Sequence, residues 1–276
     1  MASKDLVRKD RTDTAVVKVV PEFLTGFVEN DQSLEGIVER RVVPRVKVIQ
    51  QMSDTKLKQQ HGEGSAVLPQ AGLKIANAGE SFLFVPIFFF PEWIKWGDRR
   101  DPNTQAIQER TFDPNSPVAR RAQNADERYE DYGPSPKKND RPLQFRYVEH
   151  LNFVGLLYGA NDERLPVVIS FSRGEHYAGR NFCTAISMRR VGKAIAPLWS
   201  QVWKMTVNLR ERDGNKWFGI DVSNPDEGTS PWIREDEAAE FRQQWELFRD
   251  LHKQNLVEVD RTGEVEEEVA TSGADM

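Results

Sequence analysis

A mainly β domain with added helices, an α+β fold, is the class this 276-residue sequence predicts, and three observations predict it. Short apolar runs with strand-like alternation or continuity recur from residue 42 to residue 171. One helix-period segment, residues 175–190, separates those runs from a hairpin marked by Asp213-Gly214. An amphipathic stretch follows the hairpin. Three strands, a helix and two strands is the element order of an OB-fold-like five-stranded barrel, an architecture that commonly binds oligonucleotides. The expected protein is such a barrel with a helix before the closing hairpin, a long charged insert, a C-terminal helix and a disordered acidic tail.

The elements follow in chain order. Residues 1–40 are charged and weakly patterned and read as an N-terminal arm; the core is expected over 41–225. Its first strand is VVPRVKVIQ, residues 42–50, where Val46 and Val48 alternate with Arg45 and Lys47. A stretch rich in glycine and alanine then leads into FLFVPIFFFPEWIKW, residues 82–96, which holds seven of the chain's twenty-seven aromatic rings. Its first nine residues are too continuously apolar for a half-exposed strand and predict one buried on both faces, with Pro86 forcing a bulge or an edge. Pro91 is expected to close that strand. Residues 98–142 turn abruptly to proline and charge and read as a mobile insert.

LQFRYVEHLNFVGLLYG and LPVVISFSRG supply two further strands, the second with Val167, Ile169 and Phe171 facing inward. In the helix, Phe182, Ala185, Ile186 and Arg189 share a face, and Gly192 stands where a C-terminal cap belongs. The hairpin PLWSQVWKMTVNLRERDGNKWFGIDVS places Trp199, Trp203, Met205, Val207 and Leu209 on one side and leaves Trp217 on the polar face. Ser230-Pro231 is the expected start of the C-terminal helix, assigned to 226–254, with Phe241, Trp245, Phe248 and Leu251 as its packing stripe. Residues 255–276 are the expected disordered tail.

Charge distribution says more than its sum of −5. From Pro225 onward there are fifteen acidic and five basic residues, which leaves the body ahead of it at +5. The apolar run ending at Phe90 is far shorter than the roughly 20 residues that cross a bilayer. The charged N-terminus lacks the apolar core of a secretion signal, and the single cysteine, Cys183, has no partner for an internal disulfide. The expected setting is a reducing cytoplasm, with no membrane contact.

Catalytic and cofactor motifs are missing. No phosphate-cradling glycine loop is present, and His61, His150, His176 and His252 are scattered singly, so neither a metal nor a cofactor is expected. His176 beside Glu175 reads as structural rather than as an acid–base pair. Glu92, Asp98 and Asp101 lie near one another but share a turn-rich setting with Arg99 and Arg100. No catalytic residue is assigned and no enzyme is expected.

What stands above this background is the pairing of base with ring. Single strands are bound by a positive groove that follows the phosphates and by aromatic side chains that stack on bases, at about 1–3 kcal/mol per stack. The candidates are Arg45 and Lys47 on the first strand; Trp93, Lys95, Trp96, Arg99 and Arg100 after the aromatic run; and Arg146 with Tyr147. Arg173 and Arg180 flank the helix start, and Lys204, Arg210 and Trp217 lie on the hairpin.

The runs VVPRVKVIQQMS, FLFVPIFFFPEWIKW, LPVVISFSRGEHYAGRNFCTAI and WKMTVNLRERDGNKWFGIDV resemble a family of bacteriophage-encoded single-stranded DNA-binding replication proteins, over residues 35–225 or so. That resemblance implies an OB-like core, cooperative coating of single strands in the cytoplasm of the infected host, and a tail that contacts replication proteins. The chain departs from some such binders in ending SGADM, without a terminal aromatic residue. The expected partners are single-stranded DNA, replication proteins at the tail and further copies of the chain. Two alternatives stay open: a phage structural or assembly protein that does not bind nucleic acid, and a metal-dependent nuclease.

Overall fold

The structure, a computed structural model, describes residues 42–259 except 124–126, 136, 138, 139, 159–163, 213, 255 and 258. The expected arm 1–40, Asp213 of the hairpin turn and residues 260–276 of the expected tail lie outside the described residues.

The described residues open on a small antiparallel sheet, β1 (Lys47–Val48), β2 (Ala66–Leu68) and β3 (Leu73–Ala76). Between the first two runs α1 (Thr55–His61), capped by the Asp54 carboxylate, which accepts from the backbone N–H groups of Lys56 and Leu57. Only two residues of the expected first strand pair as such. The rest of it touches other elements singly, through bridges from Val43 to Val259 and from Arg45 to Val168.

β4 (Ser81–Trp96) is a single sixteen-residue strand, followed by β5 (Ile107–Thr111), α2 (Pro117–Ala122), β6 (Arg128–Gly133) and β7 (Leu143–Leu157). β4 and β7 pair from Phe84 opposite Leu157 to Trp96 opposite Arg146 and make the spine of the main sheet. The register slips between Pro86 and Phe88, the bulge that Pro86 called for. Pro91, in contrast, does not close the strand. On its far edge β4 pairs with a later strand only over 81–84 and with β5 only over 93–96, so both prolines sit where β7 is the sole neighbour. A proline there costs no ladder bond provided its missing N–H points away from β7.

After β8 (Pro166–Phe171) come α3 (His176–Met188), the short ribbon β9 (Arg190–Val191) and β10 (Ala194–Ile195), the hairpin β11 (Trp203–Arg212) and β12 (Asn215–Ser223), and α4 (Ala238–Lys253). The main sheet has the order β12-β11-β4-β7-β6, with β5 added on β4 and β8 on β7. Seven strands therefore join where five were expected, in an antiparallel sheet that curls into a half-barrel. Both faces are covered. Phe84, Phe153, Ile169, Phe171, Trp203 and Met205 pack under Phe182 of α3, while Val85, Ile87, Phe90 and Val154 pack under Phe241, Phe248 and Leu251 of α4. That double cover is why the aromatic run has no polar face.

Four expectations need correction. The segment 98–142 is not a loop: its described residues form β5, β6 and α2, the last capped by Ser116 with Pro117 at its first position. Gly192 does not cap α3, which ends at Met188 with Arg189 as its cap; the positive φ of 60° at Gly192 serves the turn of the β9–β10 ribbon. Ser230-Pro231 does not start the last helix either. Trp232 bridges Gln201 and the Pro231 carbonyl accepts from Val202 N–H, so the chain stays extended and α4 begins only at Ala238. The tail begins later than 255, because Val257 and Val259 are buried against the α4 side of the sheet.

Candidate nucleic-acid interface

Around the loop that joins β8 to α3, Ser172–Glu175, several of the basic and aromatic candidates converge. Arg173 has a positive φ of 53°, alone among the described non-glycine residues, a conformation that costs free energy. Its guanidinium lies 3.1 Å from Glu127, the same carboxylate that Arg146 approaches at 4.0 Å and that receives the Tyr129 hydroxyl. Next to it Gly174 lies flat against the Trp217 indole, close enough that a Cβ at Gly174 would sit 3.4 Å from the ring. Trp217 Nε1 donates to Glu175 at 2.7 Å, and Glu175 also accepts from Ile220 N–H and faces Arg210 at 3.2 Å.

The result is two short strings of alternating charge, Arg146–Glu127–Arg173 and Glu175–Arg210, the second bonded to a half-exposed indole. Three strands, the residue ahead of β6 and a loop supply them, so no sequence spacing announces them. Burial raises the Glu175 carboxyl despite the opposing Trp217 and Arg210. Arg210 is further held by Asp221 at 2.8 Å.

The other candidates scatter. Trp93 and Trp96, expected as stacking rings, are 2% and 0% exposed and belong to the core, Trp93 over α2 and Trp96 beside Ile94 and Val148. Three residues apart, the two rings point to opposite faces of β4, and both faces are covered there. Tyr147 is buried as well, its hydroxyl bonded to Glu130. Lys95 lies 3.7 Å above the Phe145 ring, and Arg146 lies 5.6 Å above Trp96, so ring and cation do meet here, but inside the fold. Lys204 pairs with Asp226, and Arg45, Lys47 and Arg99 are half-buried. Arg180 is exposed on α3.

Arg100 is a clasp. It bonds Asp98 through Nε and one terminal nitrogen, Asp140 at 3.0 Å, and the carbonyls of Arg141 and Pro142, tying the end of β4 to the entry of β7. Burial would raise the Asp98 carboxyl, but its bonds from Arg100 and from Gln144 N–H outweigh that and hold it at about 2. A carboxyl depressed in the folded state stabilises above its unfolded value of 3.8 and loses that contribution as pH falls through about 2. Asp98→Asn should therefore flatten the loss of stability between pH 4 and pH 2 by about 2 kcal/mol. Urea unfolding at stepped pH reads it; an unchanged slope would show that the clasp does not couple to folding.

The buried polar groups have structural partners too. His176 bonds Glu149 at 2.7 Å rather than Glu175, and Trp93 Nε1 donates to the other oxygen of Glu149 at 3.0 Å. Glu92, Asp98 and Asp101 separate into a pair with Arg110, the Arg100 clasp and a bond from Thr104. Among the described residues no three histidine, cysteine or acidic side chains are placed to hold a metal, and no helix is long and apolar enough to cross a membrane.

One signal in the sequence points to a surface outside the fourteen candidates as a set. Residues 176–210 contain six lysines and arginines and no aspartate or glutamate; the next longest acid-free run, 64–79, is less than half as long. That run forms α3, the β9–β10 ribbon and β11. Among known proteins, a family model described as Pam3 phage gp34-like protein matches residues 12–248. No curated protein and no solved structure matches the chain.

Proposed function

The chain belongs to the Pam3 phage gp34-like protein family, and from that premise we propose that it is a non-enzymatic, sequence-tolerant single-stranded DNA-binding protein of phage replication or recombination. The observation that supports this reading best is the strained Arg173 set between Arg146 and the Trp217 indole. Phosphates are recognised by guanidinium groups and bases by an aromatic face, and the two lie side by side there. Glu127 and Glu175 hold the cations in place; a phosphate arriving at Arg173 replaces one anion with another. In this reading the curled sheet does the work of an oligonucleotide-binding barrel, and the protein acts in the cytoplasm of the infected host.

Tryptophan fluorescence titration with oligo(dT) and with duplex of equal length, at two salt concentrations, tests it. Preference for the single strand and a steep loss of affinity with salt are expected. Arg173→Ala and Trp217→Ala should each weaken binding by about tenfold, toward the lower end of what one stacked base or one charge-assisted contact contributes. Equal binding to duplex and single strand at low salt would end this reading, and an oligomer that excludes oligonucleotide would favour the assembly protein instead.

A further inference from the structure

We infer that the β9–β10 ribbon and the outer side of α3 form an arm that grips single-stranded DNA, a second contact surface whose ligand rests on the reading above. The ribbon pairs Val191 with Ala194 and Arg190 with Ile195, and all six residues from 190 to 195 are exposed. A two-stranded hairpin of this length is marginal in water by itself, and this one buries none of its side chains in the core.

Its root is nevertheless fixed. Ala196 N–H donates to the Arg189 carbonyl at 2.9 Å. The Arg189 guanidinium lies 3.6 Å above the Trp203 ring and donates to the carbonyls of Val202 and Pro231, each at 2.9 Å, and to Asn224 at 2.6 Å. The ribbon is thus a projection with a rigid base, turned at Gly192, where even a Cβ would meet nothing within 4 Å.

The exposed chemistry of this face is unusual. Tyr177, Met188, Val191 and Ile195 are 71%, 73%, 59% and 51% exposed, four large apolar side chains given to solvent within nineteen residues. Exposed among them are Arg180, Arg190 and Lys193, and no carboxylate is contributed by the whole run 176–210. A folded monomer gains nothing from leaving four such side chains wet. Cations alone would suit a free phosphate; cations interleaved with rings and aliphatic chains suit a polymer that offers charged backbone and flat apolar bases together. Arg180, Arg190 and Lys193 take phosphates, and Tyr177, Met188, Val191 and Ile195 take base faces, the ribbon's apolar side chains acting as wedges do between base steps.

Two variants of the full chain test the arm, Arg190→Ala/Lys193→Ala and Val191→Ser/Ile195→Ser, with oligo(dT) binding followed by anisotropy across a salt series. Because the altered side chains are exposed, both variants should melt as the unaltered protein does. The charge variant should bind about tenfold more weakly, and its slope of log affinity against log salt should be shallower by about 1 to 2. The apolar variant should lose affinity with the slope unchanged. If the charge variant keeps both affinity and slope while Arg173→Ala weakens binding, the arm is refuted and the DNA-binding reading stands. If the unaltered protein binds no oligonucleotide, both fall. A peptide of residues 260–276 that binds the unaltered protein more tightly than oligo(dT), and not the charge variant, would overturn the proposal in favour of an acidic protein segment.

Discussion

Trp96→Ala is expected to lower the unfolding free energy by about 3–5 kcal/mol, the cost of emptying a large core site. Trp96 is fully buried beside Ile94, Val148 and Ile107, at the end of the β4–β7 spine where β5 also joins. Removing the indole leaves a cavity lined by Ile94, Val148 and Ile107, side chains anchored on paired strands, so little of it can collapse. The surface consequence is also defined. Arg146 rests above that ring at 5.6 Å, so the same change loosens one of the cations that share Glu127. Trp217→Ala gives the contrasting result, since its indole is half-exposed and lies on Gly174 rather than in the core. Chemical denaturation of the two variants side by side separates a structural ring from a ligand-facing one. A Trp96→Ala protein as stable as the unaltered chain would refute this account of the spine.

Arg110→Met carries the second large effect. Glu92 on β4 is fully buried, and its carboxylate is bonded by Arg110 Nε from β5, with Asn152 Nδ2 of β7 at 3.2 Å from the other oxygen. Removing the guanidinium strips a buried carboxylate of its arginine, which costs about 3–5 kcal/mol for a wholly buried pair. Arg110 itself reaches solvent, at 30% side-chain exposure, so a smaller loss, about 2–3 kcal/mol, is expected here. Adding Glu92→Met should recover most of the loss, because an apolar pair of similar volume leaves no charge to desolvate. The double-mutant cycle measures this directly. If the second substitution deepens the loss instead, Glu92 is held by its other neighbours and not by Arg110.

These two residues also show why the site was only partly legible in the sequence. Trp96 follows a proline and is interleaved with lysine, a pattern that locally reads as the exposed end of a strand. Its burial depends on Val148 of β7, some fifty residues on, and on Ile107 of β5, beyond a turn that local periodicity does not span. The reverse holds for Trp217, whose place on the polar face of its strand follows from alternation alone and is what the fold shows. Arg100 looked like half of a basic pair for phosphate, yet a carboxylate two residues before it and an aspartate forty residues after it use its donors. The acid-free run 176–210 is the opposite case, a pattern open to any reader of the sequence whose meaning needs the exposed ribbon to become visible.

By itself the sequence determined the local structure of this protein: the doubly buried aromatic strand, the bulge at Pro86, the helix read over 175–190 and observed over 176–188, the hairpin that follows it and the packing stripe of the last helix. Periodicity, branching and turn chemistry act within a few residues, and a few residues are enough to read them. Only the tertiary structure decided that β4 runs on through Pro91, that seven strands share one sheet, and that Arg146, Arg173, Arg210 and Trp217 meet around one loop. Burial and charge pairing are properties of what lies across a contact, and here the partners come from strands and loops that no local pattern connects.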